Sequence, residues 1–418
     1  MLVNVYGRSN RGDSVLLDAG IAEVRDSIGD AAIAGAVFEG LDTIGLVHPD
    51  VAWSSRIGNA RRAGPLGRAE VVWCLALGVL GGLAPWLHPE RLLPRDQRRT
   101  FEAIRDSDLV ISAPGGYIQD SNYAYLIALL HIWLGVRFGR PTLLAPQSVG
   151  PVGSRLGRWL TRRVLARTDL VCARESYTVG FLTGALGLPE HQVRRTGDSA
   201  FWNDDVPADT DGAWREFEAL GVPRDARILG MTVCGWEFGD RPDPEAARAA
   251  YVDAMARVAD AMAERHGLVP VIFNQVDQDL PTARLVRDRA TTPILVDEAT
   301  HEPGELRAMI ARSVVFLGTR FHSCIFALLA GRPTFAVAYL PKTTYIMQDL
   351  GLADRHLPIH AVDAEVVLEQ LEDDLADVGA AEQRIVDAVE SYRQRFARLS
   401  DVIASLPTVS PSGAARPG

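Results

Sequence analysis

Ser313-Val314-Val315-Phe316-Leu317-Gly318-Thr319-Arg320-Phe321-His322-Ser323 decides the reading of this 418-residue chain, together with the continuation Cys324-Ile325-Phe326-Ala327-Leu328-Leu329-Ala330-Gly331. An apolar run of strand length, a glycine, and a second apolar run closed by Gly331 and Pro333 predict a buried strand, a turn and a helix. In an open α/β sheet, ligands bind outside the carboxyl ends of the strands. The following helix aims its N-terminal N–H groups, carrying roughly half a positive charge, at the same place. Arg320 and His322 stand there, flanked by small polar Thr319 and Ser323. A fixed cation, a titratable imidazole and a helix dipole describe a pocket for an anion that also needs a proton moved. The bland reading makes both side chains surface or cap residues. It carries a cost, because the dipole disfavours a charged imidazole, and a negative ligand would remove that cost.

Outward from this stretch the chain alternates strand and helix signals. In the first half these are strand Leu2–Tyr6, a helix from about Ser14 to Ile28, strand Leu109–Ser112, a turn at Pro114-Gly115-Gly116 and a helix through Tyr125–Leu134. Strand Thr142–Ala145, helix Leu156–Ala166, strand Leu170–Ala173 and helix Ser176–Leu186 follow. The expected interdomain linker lies within or next to the Asp- and Pro-rich region Asp204–Asp225. Beyond it the alternation restarts at Ile228–Val233 and runs to strand Thr334–Ala338. The expected architecture is α/β, with two Rossmann-like, doubly wound domains facing each other across a cleft. Residues 1–204 form the first domain and 225–378 the second. Residues 379–406 form a C-terminal helix able to cross back onto the first domain, and 407–418 a disordered tail.

Composition narrows the function classes. Hydrophobic content of 47% and charged content of 23% suit a globular enzyme or binding protein. Forty-three basic residues against 53 acidic ones give a net charge of −10, and no basic tract appears, so nucleic acid is not an expected partner. Cys74, Cys172, Cys234 and Cys324 are scattered singly, which argues against a zinc site or a disulfide framework and for a reducing cytoplasm. The opening residues lack the charged region and cleavage site of a secretory signal. Val71–Leu87 is strongly apolar but falls short of the ~20 residues that cross a bilayer. Two readings of it stand: a buried helix, or an interfacial segment touching membrane, favoured by Trp73, Trp86 and the flanking arginines.

Further candidate contacts lie at strand ends. Gly7–Asp13 looks like an anion-cradling turn but matches neither G-x-G-x-x-G nor a P-loop, and Asn10 or Asp13 could equally cap the next helix. Gly115-Gly116 permits close backbone approach or simply a tight turn. Gln147-Ser148 is polar where a ligand would lie. Arg174 ends the Leu170–Ala173 strand, with Glu175 beside it. Guanidinium forks bind carboxylate and phosphate bidentately, so Arg174 and Arg320 facing each other suggest a small ligand with two anionic groups. Lys342, on a loop at the end of the Thr334–Ala338 strand, is either a further phosphate contact or a solvated surface residue.

These motifs together resemble the polysaccharide pyruvyl transferases. The resemblance runs from Asn4 to about Leu352. It rests on Asn10-Arg11-Gly12-Asp13, Asp108–Gly116, Gln119-Asp120, Gln147–Pro151, Asp169–Glu175, Gly197-Asp198, Gly318–His322 and Ala338–Lys342. Ala113-Pro114 ahead of Gly115-Gly116, and Phe321 between Arg320 and His322, depart from the family pattern. The resemblance implies a fold similar to the GT-B glycosyltransferases and transfer of pyruvyl from phosphoenolpyruvate to sugar hydroxyls, usually as a ketal. It puts Arg174 and Arg320 on the phosphate and carboxylate of phosphoenolpyruvate and makes His322 catalytic. No metal or cofactor is expected, since arginines supply the charge. The partners implied are phosphoenolpyruvate and a saccharide acceptor, lipid-linked or free; the expected location is cytoplasmic, with the Val71–Leu87 run offering a contact at the inner face of the membrane. Alternatives are a glycosyltransferase using a nucleotide sugar and a glycan-binding homologue without turnover.

Overall fold

The computed structural model describes residues 1–7, 10–120, 123–203 and 210–406. The tail 407–418, and residues 204–209 of the expected linker, lie outside the described residues. The chain divides into two compact units. The first holds Leu16–Ser199 with the described residues before Asn10 and from Phe396 onward, and the second holds Asn10–Val15 and Ala200–Arg395. The division falls at Ser199/Ala200. The Val378–Arg395 helix belongs to the second unit, and the Leu399–Ala404 helix to the first.

The first unit is built on eight parallel strands: β1 (Leu2–Val5), β2 (Ala34–Val37), β3 (Ala52–Ser55), β4 (Val110–Ser112), β5 (Gly115–Ile118), β6 (Thr142–Val149), β7 (Leu170–Ala173) and β8 (Val193–Arg195). Their order is β3-β2-β1-β4-β6-β7-β8, with β5 paired to β6. Order reverses beside β1, as in a doubly wound sheet. Two expectations are corrected here. Gln147-Ser148 lies within a strand and not past its end, because β6 runs on through Val149 with Gly115 paired to Gln147. Gly115-Gly116 is not a turn but the start of β5.

Polar side chains tie this sheet to its helices. Burial pushes the His131 imidazole down to about 3, so it is neutral. Its Nε2 accepts from the Ile57 amide at 3.1 Å, and the opposite nitrogen therefore donates to Asn4 Oδ1 at 3.1 Å. Asn4, at φ 64°, donates in turn to Ser112 Oγ and to the Ala128 carbonyl. Every link is buried, which makes up the hydrogen bonds the groups lose to water.

The second unit has six parallel strands: β9 (Ile228–Thr232), β10 (Val269–Ile272), β11 (Leu295–Val296), β12 (Ser313–Gly318), β13 (Thr334–Ala338) and β14 (His356–Pro358). Their order, β11-β10-β9-β12-β13-β14, is the Rossmann order, and β9 and β12 meet where it reverses. β9, β12 and β13 are buried at nearly every residue, so they read as continuous apolar runs rather than alternating ones. Met231, Val315, Phe335 and Val337 pack with Met255, Val258 and Met262 of the Pro244–His266 helix.

Leu399, Ile403 and Leu406 join the first unit's core beside Leu17, Ile21 and Val24. There the Ser400 amide donates to Glu23 at 3.0 Å, while burial raises the Glu23 carboxyl to about 7. A carboxyl with a raised folded pKa costs stability once ionised. The cost is absent below the unfolded value near 4.5, grows as pH rises and is complete above about 7. Glu23→Gln should therefore stabilise the protein at pH 8, by on the order of 3 kcal/mol at most, with no gain below pH ~4.5. Urea denaturation at the two pH values checks this.

Candidate functional site

The carboxyl ends of β9, β12 and β13 open at one edge of the second sheet, with Gly318 paired to Thr232 on one side and to Ala336 on the other. A Cβ at Gly318 would lie 2.5 Å from Cys324 Sγ, so the turn into the helix is packed without room for a side chain. The Thr319 amide donates to the Thr232 carbonyl at 3.0 Å, and its hydroxyl meets the Tyr251 phenol at 2.8 Å. The backbone is thus fixed just before Arg320, the N-cap of the Phe321–Leu329 helix. A helix start leaves N–H groups unpaired. Buried Gln275, just past β10, takes one of them: its Oε1 accepts from the Ser323 amide at 3.0 Å and from the Ser323 hydroxyl.

Arg320 is gripped by Asp279, with Nε and Nη2 each 2.6 Å from a carboxylate oxygen. Asp279 is anchored by the Gly235 amide at 2.8 Å. Burial pulls the guanidinium pKa down, but the Asp279 contact outweighs it, and the group is held firmly charged. Two of its five donors are committed to Asp279. Its side chain keeps 17% exposure, and its Cζ lies 5.5 Å from the centroid of the Tyr339 ring. Two residues on, His322 is 4% exposed and meets Phe321 edge to face at 5.0 Å.

Gly12 lies against that imidazole: a Cβ built there would fall 2.0 Å from His322 Nδ1. Asn10 and Asp13, expected in a loop of the first domain, instead group with the second unit. Asn10 Oδ1 accepts from the Gly12 amide at 3.0 Å, its capping role, and Asp13 is already in the first turn of the Arg11–Ile28 helix. Buried Arg11 donates to the Gln275 carbonyl at 3.0 Å, so Gln275 joins this turn to the His322 helix. Lys342 is corrected too. It sits in the first turn of the Pro341–Asp349 helix, not on a loop, with Nζ 4.8 Å from the centroid of the Phe321 ring.

In the first unit, Arg174 is 1% exposed at the end of β7. Nη1 reaches Asp198 at 2.9 Å, and Nε reaches Ser148 Oγ at 3.1 Å and Glu175 at 3.4 Å. Gly116 lies beside this guanidinium, where a Cβ would come 3.6 Å from Nη2. Gln147 is buried and donates to the Tyr117 phenol and the Ala113 carbonyl. Arg174, expected from sequence as a donor ligand, is thus paired with two buried carboxylates, Glu175 at Nε and Asp198 at Nη1. Asp279, Gln275, Gly12 and Tyr339 escaped sequence reasoning. The signal available was their position: just after β10 and β13, or in the Asn10–Asp13 motif.

A cavity of about 330 Å³ opens beside Tyr339, lined also by Trp236, Phe238, Arg241, Tyr345 and His360. Among the described residues, no group of three or more His, Cys, Asp or Glu is gathered for a metal ion.

A family model described as polysaccharide pyruvyl transferase matches residues 10–341. The amylovoran biosynthesis protein AmsJ of Erwinia amylovora is 22% identical over 327 residues, covering 72% of this chain and 73% of its own. Among solved structures, a glycosyltransferase from Rickettsia africae superposes with a TM-score of 0.61 at 10% identity, covering 96% of this chain and 95% of its own. The UDP-GlcNAc 2-epimerase of Neisseria meningitidis gives 0.60 at 12% identity, covering 96% and 98%. At these identities the likeness is one of fold.

The Gly12–His322 contact predicts a contrast between two glycines. Gly12→Ala must displace the buried ring and should destabilise by roughly 1–3 kcal/mol. Gly45, inside a helix with nothing within 4 Å of its Cβ position, should gain about 0.5–1 kcal/mol on replacement by alanine. Equilibrium denaturation of both variants reads the difference.

Proposed function

The chain belongs to the polysaccharide pyruvyl transferase family, and on that premise we propose that it transfers pyruvyl from phosphoenolpyruvate to a sugar, forming a ketal and releasing phosphate. The acceptor is a saccharide of a polysaccharide or of its lipid-linked precursor, met at the cytoplasmic face of a membrane. The observation that carries the reading is Arg320, charged and oriented by Asp279, two residues before His322 at the turn after β12.

In this reading the free donors of Arg320 and the amides of the helix start hold the anionic head of the donor. Lys342, in the first turn of the next helix, adds a second cation. His322 protonates the terminal methylene, leaving the central carbon electrophilic, or serves as acid–base group at phosphate loss. One acceptor hydroxyl attacks that carbon and loses its proton. The C–O bond to phosphate breaks, and a second hydroxyl of the same sugar closes the ketal. Arginine charge on the departing phosphate stabilises the transition state. Arg174, bonded to Asp198, Glu175 and Ser148, is assigned to holding the ends of β6 and β7. Asn10 supports the turn that lies against His322, and Gly115, Gly116, Gln147 and Ser148 of the first unit are proposed contacts of the acceptor.

A second reading, a glycosyltransferase using a nucleotide sugar, is favoured by the aromatic cavity beside Tyr339, which could stack a base. A thermal-shift comparison at equal concentration separates the two. Stabilisation by phosphoenolpyruvate supports pyruvyl transfer, and stabilisation by nucleotide sugars alone overturns it.

Arg320→Lys keeps the charge but loses the planar fork, so phosphoenolpyruvate binding should weaken by about 1.5–3 kcal/mol in calorimetric titration. His322→Gln should fold and bind the donor, with turnover down roughly 10²–10⁴-fold in a phosphate-release assay. Native turnover in His322→Gln would remove the histidine from the chemistry.

A further inference from the structure

The Gly64–Leu83 helix is long and apolar enough to cross a membrane by length and composition, yet one of its faces is committed to protein. Cβ atoms at Gly78, Gly81 and Gly82 would fall 3.0 Å from Leu130, 2.6 Å from the Phe101 ring and 2.4 Å from the Trp133 ring. The glycine stripe lets the helix pack closely, so lipid cannot surround it. Its other face stays apolar and uncovered. Among the described residues, nine of the eighteen exposed large hydrophobics lie between Leu66 and Leu92, including Trp73 and Trp86 at 56% and 72% exposure. A groove of about 520 Å³ runs between this helix and the turns after it, lined by Trp73, Leu77, Leu80, Leu87 and Leu92, with Arg91 at the edge.

The Arg155–Leu165 helix repeats the pattern. It exposes Leu156 and Trp159 among Arg155, Arg158, Arg162 and Arg163. The Ala124–Arg137 helix packs against both, so the two surfaces share a neighbour within the first unit. Residues 61–99 and 155–167 together hold twelve arginines and three carboxylates, in a chain of net charge −10. Arg62, Arg68, Arg91 and Arg95 are all exposed.

We propose that this face docks in the plane of an anionic lipid bilayer, with Trp73, Leu80, Trp86 and Leu87 entering the headgroup boundary and the arginines resting on lipid phosphates. Interfacial helices bind by this combination of a buried apolar face and basic flanks. A second copy of the chain would have to bring its own excess of arginine against this one, whereas anionic headgroups complement it. The inference rests on the lipid-linked-acceptor reading for its purpose, but its test contains no substrate, so failure of one leaves the other standing.

The test is co-sedimentation of the full chain with vesicles of phosphatidylcholine alone and of phosphatidylcholine mixed with phosphatidylglycerol. The expected result is sedimentation with the mixed vesicles, weaker with neutral ones, and loss at high salt. Trp73→Ser/Leu80→Ser/Trp86→Ser changes only exposed residues and should reduce sedimentation to the vesicle-free level with an unchanged melting temperature. Arg158→Gln/Arg162→Gln/Arg163→Gln should erase the preference for anionic vesicles. Wild-type protein left in the supernatant with both vesicle types would overturn the proposal. So would a dimer in light scattering that the serine variant dissolves, which would mark the face as a contact between copies.

Discussion

The Asp279–Arg320 pair is the contact on which the site depends. A guanidinium at a sheet edge can point many ways, and two short hydrogen bonds to one carboxylate leave it a single orientation. Asp279 comes from the segment after β10, Arg320 from the end of β12, and β9 lies between those strands in the sheet. The pair therefore exists only when the sheet order is correct. Gln275 makes a parallel connection, holding the helix start through Ser323 while its own carbonyl receives Arg11. His322 is placed by both, with Gly12 leaving space for its ring.

The two arginines singled out by sequence show how burial divides like residues between roles. Arg174 is 1% exposed and meets two carboxylates and a hydroxyl, so its charge is matched inside the protein. Breaking such a buried set by removing one partner is costly, which suits a fixed structural element. Arg320 meets one carboxylate and keeps partial exposure. Two of its five donors are taken by that carboxylate.

The fold was legible because parallel strands buried on both faces leave apolar runs. Val314–Leu317 and Thr334–Ala338 were placed within a residue or two for that reason. Strands β2, β3, β5, β8 and β14 were missed. They have four residues or fewer, and Ala34-Gly35-Ala36-Val37 carries too little periodicity to register. Arg320 and His322 were legible because they are local to one strand–helix turn. Asp279 and Gln275 were not, since they lie more than forty residues upstream and reach the site only through pairing of β10 with β9 and of β9 with β12. The apolar Val71–Leu87 run left its environment open because composition alone cannot say which face of a helix is covered. The glycine stripe answers that, but only with Phe101 and Trp133 in place against it.

The proposed donor site rests on the carboxyl ends of the second sheet's strands and on an oriented cation two residues before a histidine. The most direct measurement is the electron density of crystals soaked in phosphoenolpyruvate. The account predicts the anionic head of the donor within hydrogen-bond reach of Arg320, with its methylene carbon facing His322. An empty site at saturating phosphoenolpyruvate, with nucleotide-sugar density instead beside Tyr339, would contradict it.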